Sequence, residues 1–383
     1  MNILFLRSHD GMNDSRVAKE IYSISKKHNV TFLGWDRSTS DAAIRQCWYI
    51  FFDKEEKLNH ICIKAPIGGG FKKLLFPLLR FWRAEYKFVK KNLTNFDAIH
   101  ACDLDTAFPL LLLHKKIPIV YDIYDYYADT HASPGLIDKL LRKFEGYIIR
   151  KSHTVIICNE IRKQQIMPYV PKNLVIIHNA PSVKMIQQAF CVNSESSAKI
   201  KVVYVGSLSQ DRFLSEMADV ITQKKDVELH IGGIGILEEY FSELSGRFPN
   251  VIYYGKMSYE NVIALEDKCD IMTAIYNPRV KNNRFASPNK FYEALMLKKP
   301  LIMMRNTGMD SFVEKYQLGE VIDSGAESFK EDFSRALDNL IAKKEQWAEM
   351  GERGYKLYQE QFSWDEMEKR LLNLYDDLEP KKD

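Results

Sequence analysis

Short apolar runs alternate with amphipathic segments along most of the chain. In the first half, the runs predict strands at 2–7, 29–34, 97–101, 117–122, 153–158 and 174–178. Between them, the helical spacing of apolar residues predicts helices at 14–27, 76–92, 104–115, 135–151 and 159–167. Strands that alternate with helices in this way form a parallel sheet covered on both faces.

The alternation stops over residues 183–198, where glutamine, asparagine and serine predict a linker. It then resumes with predicted strands at 200–205, 227–232, 250–254, 270–275, 300–304 and 319–322. The helices predicted there are 212–224, 236–246, 258–266, 288–297, 309–315, 328–343, 345–361 and a terminal one from 363. We therefore expect two doubly wound α/β domains, 1–182 and 199–362, with ligands at the carboxyl ends of their strands, and a C-terminal segment 363–383.

Composition narrows the class of protein. A length of 383 residues suits two domains, and a net charge of +3 gives no sign of a nucleic-acid partner. Six scattered cysteines without a Cys-x-x-Cys pair predict reduced thiols and no zinc site. The chain opens directly on an apolar strand, and no apolar run approaches the ~18–20 residues that span a bilayer. These features predict a cytoplasmic location.

Residues 287–300 carry the strongest chemical signal in the chain. A loop with Ser287 and Pro288 leads into a predicted helix whose first turn contains Asn289 and Lys290. Unpaired N–H groups, the helix dipole and a cation together favour phosphate binding. Glu293, about one turn later, is placed to accept hydrogen bonds from sugar hydroxyls.

A second phosphate-binding pattern opens the second domain. The predicted strand Val202–Val205 runs into Gly206, and Arg212 follows six positions later. The glycine lets the backbone approach a ligand closely, and the guanidinium group of Arg212 can bind two phosphate oxygens at once.

These two sequence motifs resemble the donor site of family 4 glycosyltransferases, in the variant with Ser-Pro-x-Lys at the start of the helix. The resemblance implies a GT-B fold of two facing Rossmann-like domains, with a C-terminal helix that returns to the first. It implies a retaining transferase that uses a nucleotide-diphospho-sugar and needs neither metal nor another cofactor. The implied catalytic residues are Arg212, Lys290 and Tyr124, and the implied donor-binding residues are Gly11, Gly206, Ser287, Pro288, Asn289 and Glu293.

Three positions depart from the family pattern. Ser207 stands where many members have arginine, and Phe285 stands where many have a glutamate. Tyr124 occupies the place of a histidine that touches the donor sugar. A tyrosine can donate a hydrogen bond there but cannot carry positive charge near neutral pH.

The first domain supplies candidates for sugar or acceptor contacts. Asp122 and Asp125 flank Tyr124, and Arg16 lies at the start of the first helix. For Arg16 the alternative is a buried ion pair with Glu20, one helical turn later.

Asp103 and Asp105 have the spacing of an Asp-x-Asp metal site. They also precede the apolar run 106–113, where a helix cap and a first-turn acid are common. We interpret Asp103 as the helix cap and Asp105 as the first-turn acid, and we predict no metal site.

Cations cluster over residues 71–91, which overlap the helix predicted at 76–92. On a helical wheel at ~100° per residue, seven of them fall within an arc of about 100°. Pro77 favours a helix start near 76. The arc predicts contact with an anionic membrane, the alternative being an ordinary solvated face. Its members are Lys72, Lys73, Arg80, Arg83, Lys87, Lys90 and Lys91.

Together with the resemblance, the sequence predicts a transferase that extends a lipid-linked saccharide acceptor in surface polysaccharide biosynthesis, such as that of capsule or O-antigen. It would act in the cytoplasm, in peripheral contact with the membrane. Two alternatives stay open: a nucleotide-sugar epimerase of the same fold, and a non-catalytic subunit that binds a nucleotide-sugar.

Overall fold

A computed structural model describes residues 1–9, 14–37, 43–51, 54–64, 71–113, 117–130, 135–182, 198–323 and 328–378. The chain forms two compact units. One comprises Met1–His178 and Met367–Asp383, and the other comprises Asn179–Glu366. Most of the predicted linker 183–198 lies outside the described residues, so the linker remains a prediction.

The first unit contains an eight-stranded sheet in the order β3-β4-β2-β1-β5-β6-β7-β8. Every neighbouring pair is parallel except β3 and β4, which pair antiparallel at one edge. The strands are β1 (Asn2–Arg7), β2 (Asn29–Asp36), β3 (Ala43–Phe51), β4 (Lys54–Lys64), β5 (Ala98–Cys102), β6 (Ile119–Ile123), β7 (Thr154–Ile157) and β8 (Leu174–Ile176).

The helices of the first unit follow their strands in the expected order. They are Ser15–Ser25, Phe71–Asn92, Asp103–Ala107, Tyr127–Thr130, Leu136–Lys151 and Arg162–Ile166, with short 3-10 turns at Leu93–Asn95 and Pro109–Leu112.

The two faces of the first sheet bury different partners. Leu4 and Leu6 of β1 share a core with Phe81 and Ile149, from two of the covering helices. On the other face, Phe5 stacks on His100 with ring centroids 4.2 Å apart.

The C-terminal helix Trp364–Asp376 contributes to that second face. Tyr375 Oη lies 2.6 Å from His100 Nδ1, and Ser23 donates a hydrogen bond of 2.7 Å to Glu368. The last part of the chain is thereby tied into the first unit.

The second unit contains a six-stranded parallel sheet in the order β11-β10-β9-β12-β13-β14. Strand order reverses between β9 and β12, which makes their carboxyl ends the expected ligand site. The strands are β9 (Ile200–Ser207), β10 (Val227–Ile234), β11 (Val251–Tyr253), β12 (Ile271–Ala274), β13 (Leu301–Met304) and β14 (Gly319–Ile322).

Helices surround this sheet. The α-helices are Leu214–Thr222, Glu238–Arg247, Tyr259–Lys268, Asn289–Met296, Asp310–Lys315, Phe329–Ala342 and Trp347–Leu357. Shorter helical segments are the 3-10 turns Gln210–Arg212, Lys281–Phe285 and Lys344–Gln346, and the π-helical turn Tyr358–Phe362.

Three sequence expectations were wrong in detail. The edge pair β3 and β4 was missed, because Lys54-Glu55-Glu56-Lys57 opens β4 and hides the apolar strand pattern. The cation-rich helix predicted to start near 76, which we call the basic helix, begins at Phe71 and contains Pro77. A proline removes only one helical hydrogen bond, so it need not end a helix. The helix predicted at 104–115 ends at Ala107, ahead of the 3-10 turn that contains Pro109.

Candidate active site

Lys290 lies on the helix Asn289–Met296, which follows β12 in the second unit. Gly206, near the end of β9, makes room for it. A Cβ atom at Gly206 would stand 2.9 Å from Lys290 Nζ, closer than real Cβ contacts allow. The sheet topology therefore brings together two residues that belong to separate sequence motifs.

The ammonium group of Lys290 is buried against aromatic rings. Lys290 is 8% exposed, and its Nζ lies 4.9 Å from the ring centroid of Tyr204. Burial alone would lower the pKa of Lys290, but Tyr276, Tyr204, Glu293 and Glu266 outweigh it and raise the pKa. Lys290 is therefore a fixed positive charge at the switch point of the sheet.

Arg212 lies beside the same tyrosines. It ends a 3-10 turn just before the helix Leu214–Thr222, and its guanidinium carbon is 3.6 Å from the ring centroid of Tyr276. Its Nη1 is buried without a hydrogen-bond partner. Burial raises the pKa of Tyr204 to about 12, while Lys290 and Arg212 act to lower it. Both cations thus surround one aromatic pair, Tyr204 and Tyr276.

Glu293 points into a buried polar cluster. It is 2% exposed and accepts a hydrogen bond of 2.9 Å from Tyr259 Oη. Glu266 is also buried, and its Oε2 has no hydrogen-bond partner. Burial, together with the charge of Glu293, raises the pKa of Glu266, whereas Lys290 lowers it.

The loop ahead of Lys290 is held by side chains. Ser287 Oγ is hydrogen-bonded to Tyr292 Oη, and Asn289 Oδ1 accepts a hydrogen bond of 2.7 Å from Asn179 Nδ2. Pro288 is the N-cap residue, and no side chain caps the helix. The helix start thus keeps the open backbone character that a phosphate site requires. Gly11, the remaining donor-binding prediction, lies outside the described residues.

In the first unit, Arg16 is the centre of a buried ion-pair network. Its Nε lies 2.9 Å from Glu20 Oε1, and its Nη2 lies 2.7 Å from Asp122 Oδ1. Arg16 is 3% exposed, and both carboxylates are fully buried. The ion-pair alternative for Arg16 is present, and for Arg16 and Asp122 a contact with sugar or acceptor remains only a prediction.

His100 completes this network. Its Nε2 lies 3.5 Å from Asp122 Oδ2 and 3.8 Å from Glu20 Oε2. Burial lowers the pKa of His100 to about 4, although Glu20 opposes this shift. Burial and Asp122 raise the pKa of Glu20 to about 7, against Arg16 and His100.

Glu20, His100 and Asp122 bring possible metal ligand atoms within 4.8 Å of one another. One oxygen of each carboxylate, however, is already bound by Arg16. The guanidinium group of Arg16 already balances the negative charge of these carboxylates, which would otherwise favour a bound cation.

Tyr124 borders this network and is mostly buried. Its hydroxyl donates a hydrogen bond of 2.9 Å to Glu20 Oε2. The guanidinium carbons of Arg7 and Arg16 lie 4.4 and 4.1 Å from its ring centroid. Burial raises the pKa of Tyr124 well above its usual value, so the phenol stays neutral. Positive charge therefore lies next to Tyr124 even though the side chain itself carries none.

Asp103 does not cap its helix. The N-cap residue is Cys102, and Asp103 Oδ1 instead accepts hydrogen bonds from the N–H groups of Tyr124 (2.9 Å) and Asp125 (3.2 Å). Its other oxygen pairs with Arg7. Burial raises the pKa of Asp103 to about 6, against the effect of Arg7. The carboxylate thus fixes the loop after β6, a long-range role that the sequence pattern could not show.

A cavity of about 250 Å³ opens in the first unit beside this loop. Asp125 lines it, whereas Asp122 lies in the buried network and is not among its lining residues. Sequence reasoning missed Arg7, Arg37, Trp35 and Tyr127 in this cavity, because no motif links them. Its lining comprises Arg7, Ser8, His9, Trp35, Arg37, Leu78, Asp103, Asp105, Asp125, Tyr127 and Thr130.

The basic helix exposes its cations as predicted. Arg80, Arg83, Lys87, Lys90 and Lys91 are exposed, while Lys72 and Lys73 lie outside the described side chains. In the described part of the chain, no helix is both long enough and apolar enough to cross a membrane.

Comparison with known proteins shows that the second unit resembles a glycosyltransferase. Residues 199–342 match the family model described as glycosyl transferases group 1. No curated protein matches the chain. The region shown to resemble a transferase is therefore the one that carries Gly206, Arg212, Lys290 and Glu293.

Solved structures resemble the chain over its full length. Sucrose-phosphate synthase from Thermosynechococcus elongatus is 13% identical at a TM-score of 0.74, with 99% of each chain covered. A trehalose-6-phosphate structure from E. coli, bound with UDP-2-fluoro glucose, is 8% identical at a TM-score of 0.72, again with 99% of each covered. Anabaena HepE in complex with UDP is 12% identical at a TM-score of 0.66, covering 98% of this chain and 100% of that one. The chain has the GT-B fold, as the sequence predicted.

Proposed function

We propose that this chain is a retaining family 4 glycosyltransferase that moves a sugar from a nucleotide-diphospho-sugar to a saccharide acceptor. The observation that carries the proposal is the meeting of Lys290 and Arg212 around Tyr204 and Tyr276, at the switch point of a unit that matches glycosyl transferases group 1. A lysine at an uncapped helix start, together with an arginine beside the neighbouring tyrosine, is suited to a leaving diphosphate.

In the proposed reaction, the bond between the anomeric carbon and the diphosphate breaks as an acceptor hydroxyl attacks from the same face and passes its proton to the leaving diphosphate oxygen. Lys290 and Arg212 stabilise the negative charge that develops on the diphosphate. Glu293 holds the nucleotide ribose. Gly206 supports this arrangement, because its missing side chain lets Lys290 approach the end of β9.

The first unit would hold the acceptor. Its cavity has guanidinium donors and carboxylate acceptors, the groups that bind vicinal hydroxyls of a saccharide. Asp125 at that cavity is the predicted acceptor contact that we retain. We propose that the acceptor is lipid-linked, that the product enters a surface polysaccharide, and that the basic helix holds the protein at the inner face of the membrane.

One observation favours a second candidate, a non-catalytic subunit that binds nucleotide-sugars. The hydroxyl of Tyr124 already donates to Glu20, so it is not free to act on a donor sugar. Slow hydrolysis of the bound donor by the pure protein would identify a catalyst, and binding without hydrolysis would favour the subunit.

A thermal-shift screen of nucleotide-sugars tests the proposal. UDP-sugars come first, since similar solved structures bind UDP-2-fluoro glucose or UDP. Binding to the folded protein raises the apparent melting temperature by mass action. We expect one nucleotide series to stabilise the wild type and not Lys290→Ala. If no nucleoside diphosphate or nucleotide-sugar shifts the wild type, the proposed function is wrong.

A further inference from the structure

Five large apolar side chains are exposed on the helix Leu136–Lys151 of the first unit. Their exposed fractions range from 43% to 77%, whereas side chains of this kind are usually buried. We call these five residues the apolar stripe: Leu136, Ile137, Leu140, Phe144 and Tyr147.

The stripe occupies one side of its helix. At ~100° per residue, its members fall within an arc of about 100°. Glu145, Ile148 and Ile149 are buried in the unit. The stripe therefore faces away from the core, and packing among the described residues of the first unit leaves its side chains exposed.

The charges that accompany the stripe have one sign. The exposed charged residues of this helix are Lys139, Lys143, Arg150 and Lys151. Both acids of the helix have partners. Asp138 pairs with Arg142, one turn later, at 2.9 Å, and Glu145 accepts a hydrogen bond from Tyr121. The outward face of the helix is therefore apolar and cationic.

The helix Phe71–Asn92 adds a similar surface on the same side of the sheet. Leu75, Phe76 and Leu79 are exposed near its start, with Phe76 at 75%. Phe108 joins the two helices, with ring centroids 4.7 Å from Trp82 and 5.7 Å from Phe144. Exposed apolar side chains and cations thus occur together on two adjoining helices.

We propose that the apolar stripe docks on an anionic lipid bilayer. Helices that lie in a membrane interface combine bulky apolar residues with lysine and arginine, and carry no acids on the lipid side. The stripe would enter the boundary between headgroups and acyl chains while the lysines bind anionic headgroups. The charge pattern favours lipid over a second copy of this surface, because two cationic faces repel each other.

The stripe differs in kind from the cation arc of the basic helix. Binding by cations alone weakens steeply with salt, whereas apolar insertion is far less sensitive. This proposal rests on side-chain exposure and does not depend on which reaction the second unit performs.

Sedimentation with phosphatidylglycerol–phosphatidylcholine vesicles tests the proposal. We expect the wild type to bind and the triple variant Leu136→Ser/Ile137→Ser/Leu140→Ser to bind about tenfold more weakly or worse, from the loss of apolar area. The variant keeps every cation. The matched control is Val170→Ser/Ile236→Ser, which removes side chains that are 76% and 73% exposed outside this surface and should leave binding unchanged.

Circular dichroism and binding of a nucleoside diphosphate establish that each variant is folded, and they report on the donor site separately. If the wild-type protein does not bind anionic vesicles at low salt, the proposal is wrong. A triple variant that binds vesicles like the wild type would also overturn it. A wild-type dimer that the triple variant turns into a monomer, without vesicle binding, would assign the stripe to a second copy of the chain and equally overturn it.

Discussion

The two units bury their charged groups in different ways. In the first unit, Arg16 pairs with Asp122, 106 residues away along the chain, and His100 and Tyr375 are 275 residues apart. In the second unit, Lys290, Glu293 and Glu266 come from two neighbouring helices. The comparison separates a charge network assembled from distant parts of the chain from a charge cluster at the proposed donor site.

This difference explains which of these charge contacts could be predicted from the sequence and which could not. Lys290 and Glu293 belong to one continuous motif, so local pattern and resemblance were enough to propose a shared site for them. Arg16 could be paired with Glu20 from helical spacing, but Asp122 and His100 could not be assigned to the same network. Partners distant in sequence leave no periodic signal.

Aromatic residues show the same limit within the second unit. Tyr204, Tyr259 and Tyr276 surround the predicted cations and Glu293, yet nothing in the sequence distinguishes them from core residues. The alternation of strands and helices predicted both parallel sheets. It missed β3 and β4 because an antiparallel edge pair with a charged end lacks a continuous apolar run.

Arg16→Ala is the largest expected disruption and tests whether the first network serves the fold. It leaves Glu20 and Asp122 buried without their cation, which should cost about 3–5 kcal/mol of unfolding free energy. Urea unfolding measures this, with the exposed Arg83→Ala as control. A loss below about 1 kcal/mol would show that the network is not structural.

Lys290→Ala and Arg212→Ala should lower turnover, measured on variants shown by circular dichroism to be folded. Each removes a preorganised cation and should cost about 2–4 kcal/mol of transition-state stabilisation, measured as kcat/KM with the true donor. The exposed Lys268→Ala is the matched control. Near-normal kcat/KM in both site variants would place the diphosphate elsewhere.

Glu145 offers a pH-dependent test of the first unit. Burial raises its pKa to about 8, against hydrogen bonds from the N–H groups of Tyr127 and Ala128 and from the hydroxyl of Tyr121. Between about pH 4.5 and 8 the folded state holds a proton that the unfolded state has released, so the stability from this group falls as pH rises.

The difference in unfolding free energy between wild type and Glu145→Gln should therefore decline across that range, by at most about 1.4 kcal/mol per pH unit. Denaturation at several pH values measures it. A flat or rising difference would mean that Glu145 is ionised in the folded protein.

The smallest expected effect is that of metal removal. We expect excess EDTA to leave turnover unchanged, because Arg16 already binds both carboxylates beside His100. Loss of turnover in EDTA, restored by manganese or magnesium, would assign the acidic residues of the first unit to a metal and remove the contrast between the units.

Calorimetric titration of a nucleoside diphosphate and of inorganic pyrophosphate tests the central claim, that the charge cluster of the second unit holds the donor. Lys290→Ala should weaken binding of both ligands, since each carries the diphosphate. Glu293→Gln should weaken the nucleoside diphosphate alone, since only that ligand carries a ribose. Unchanged affinity of Lys290→Ala for both ligands would contradict the account.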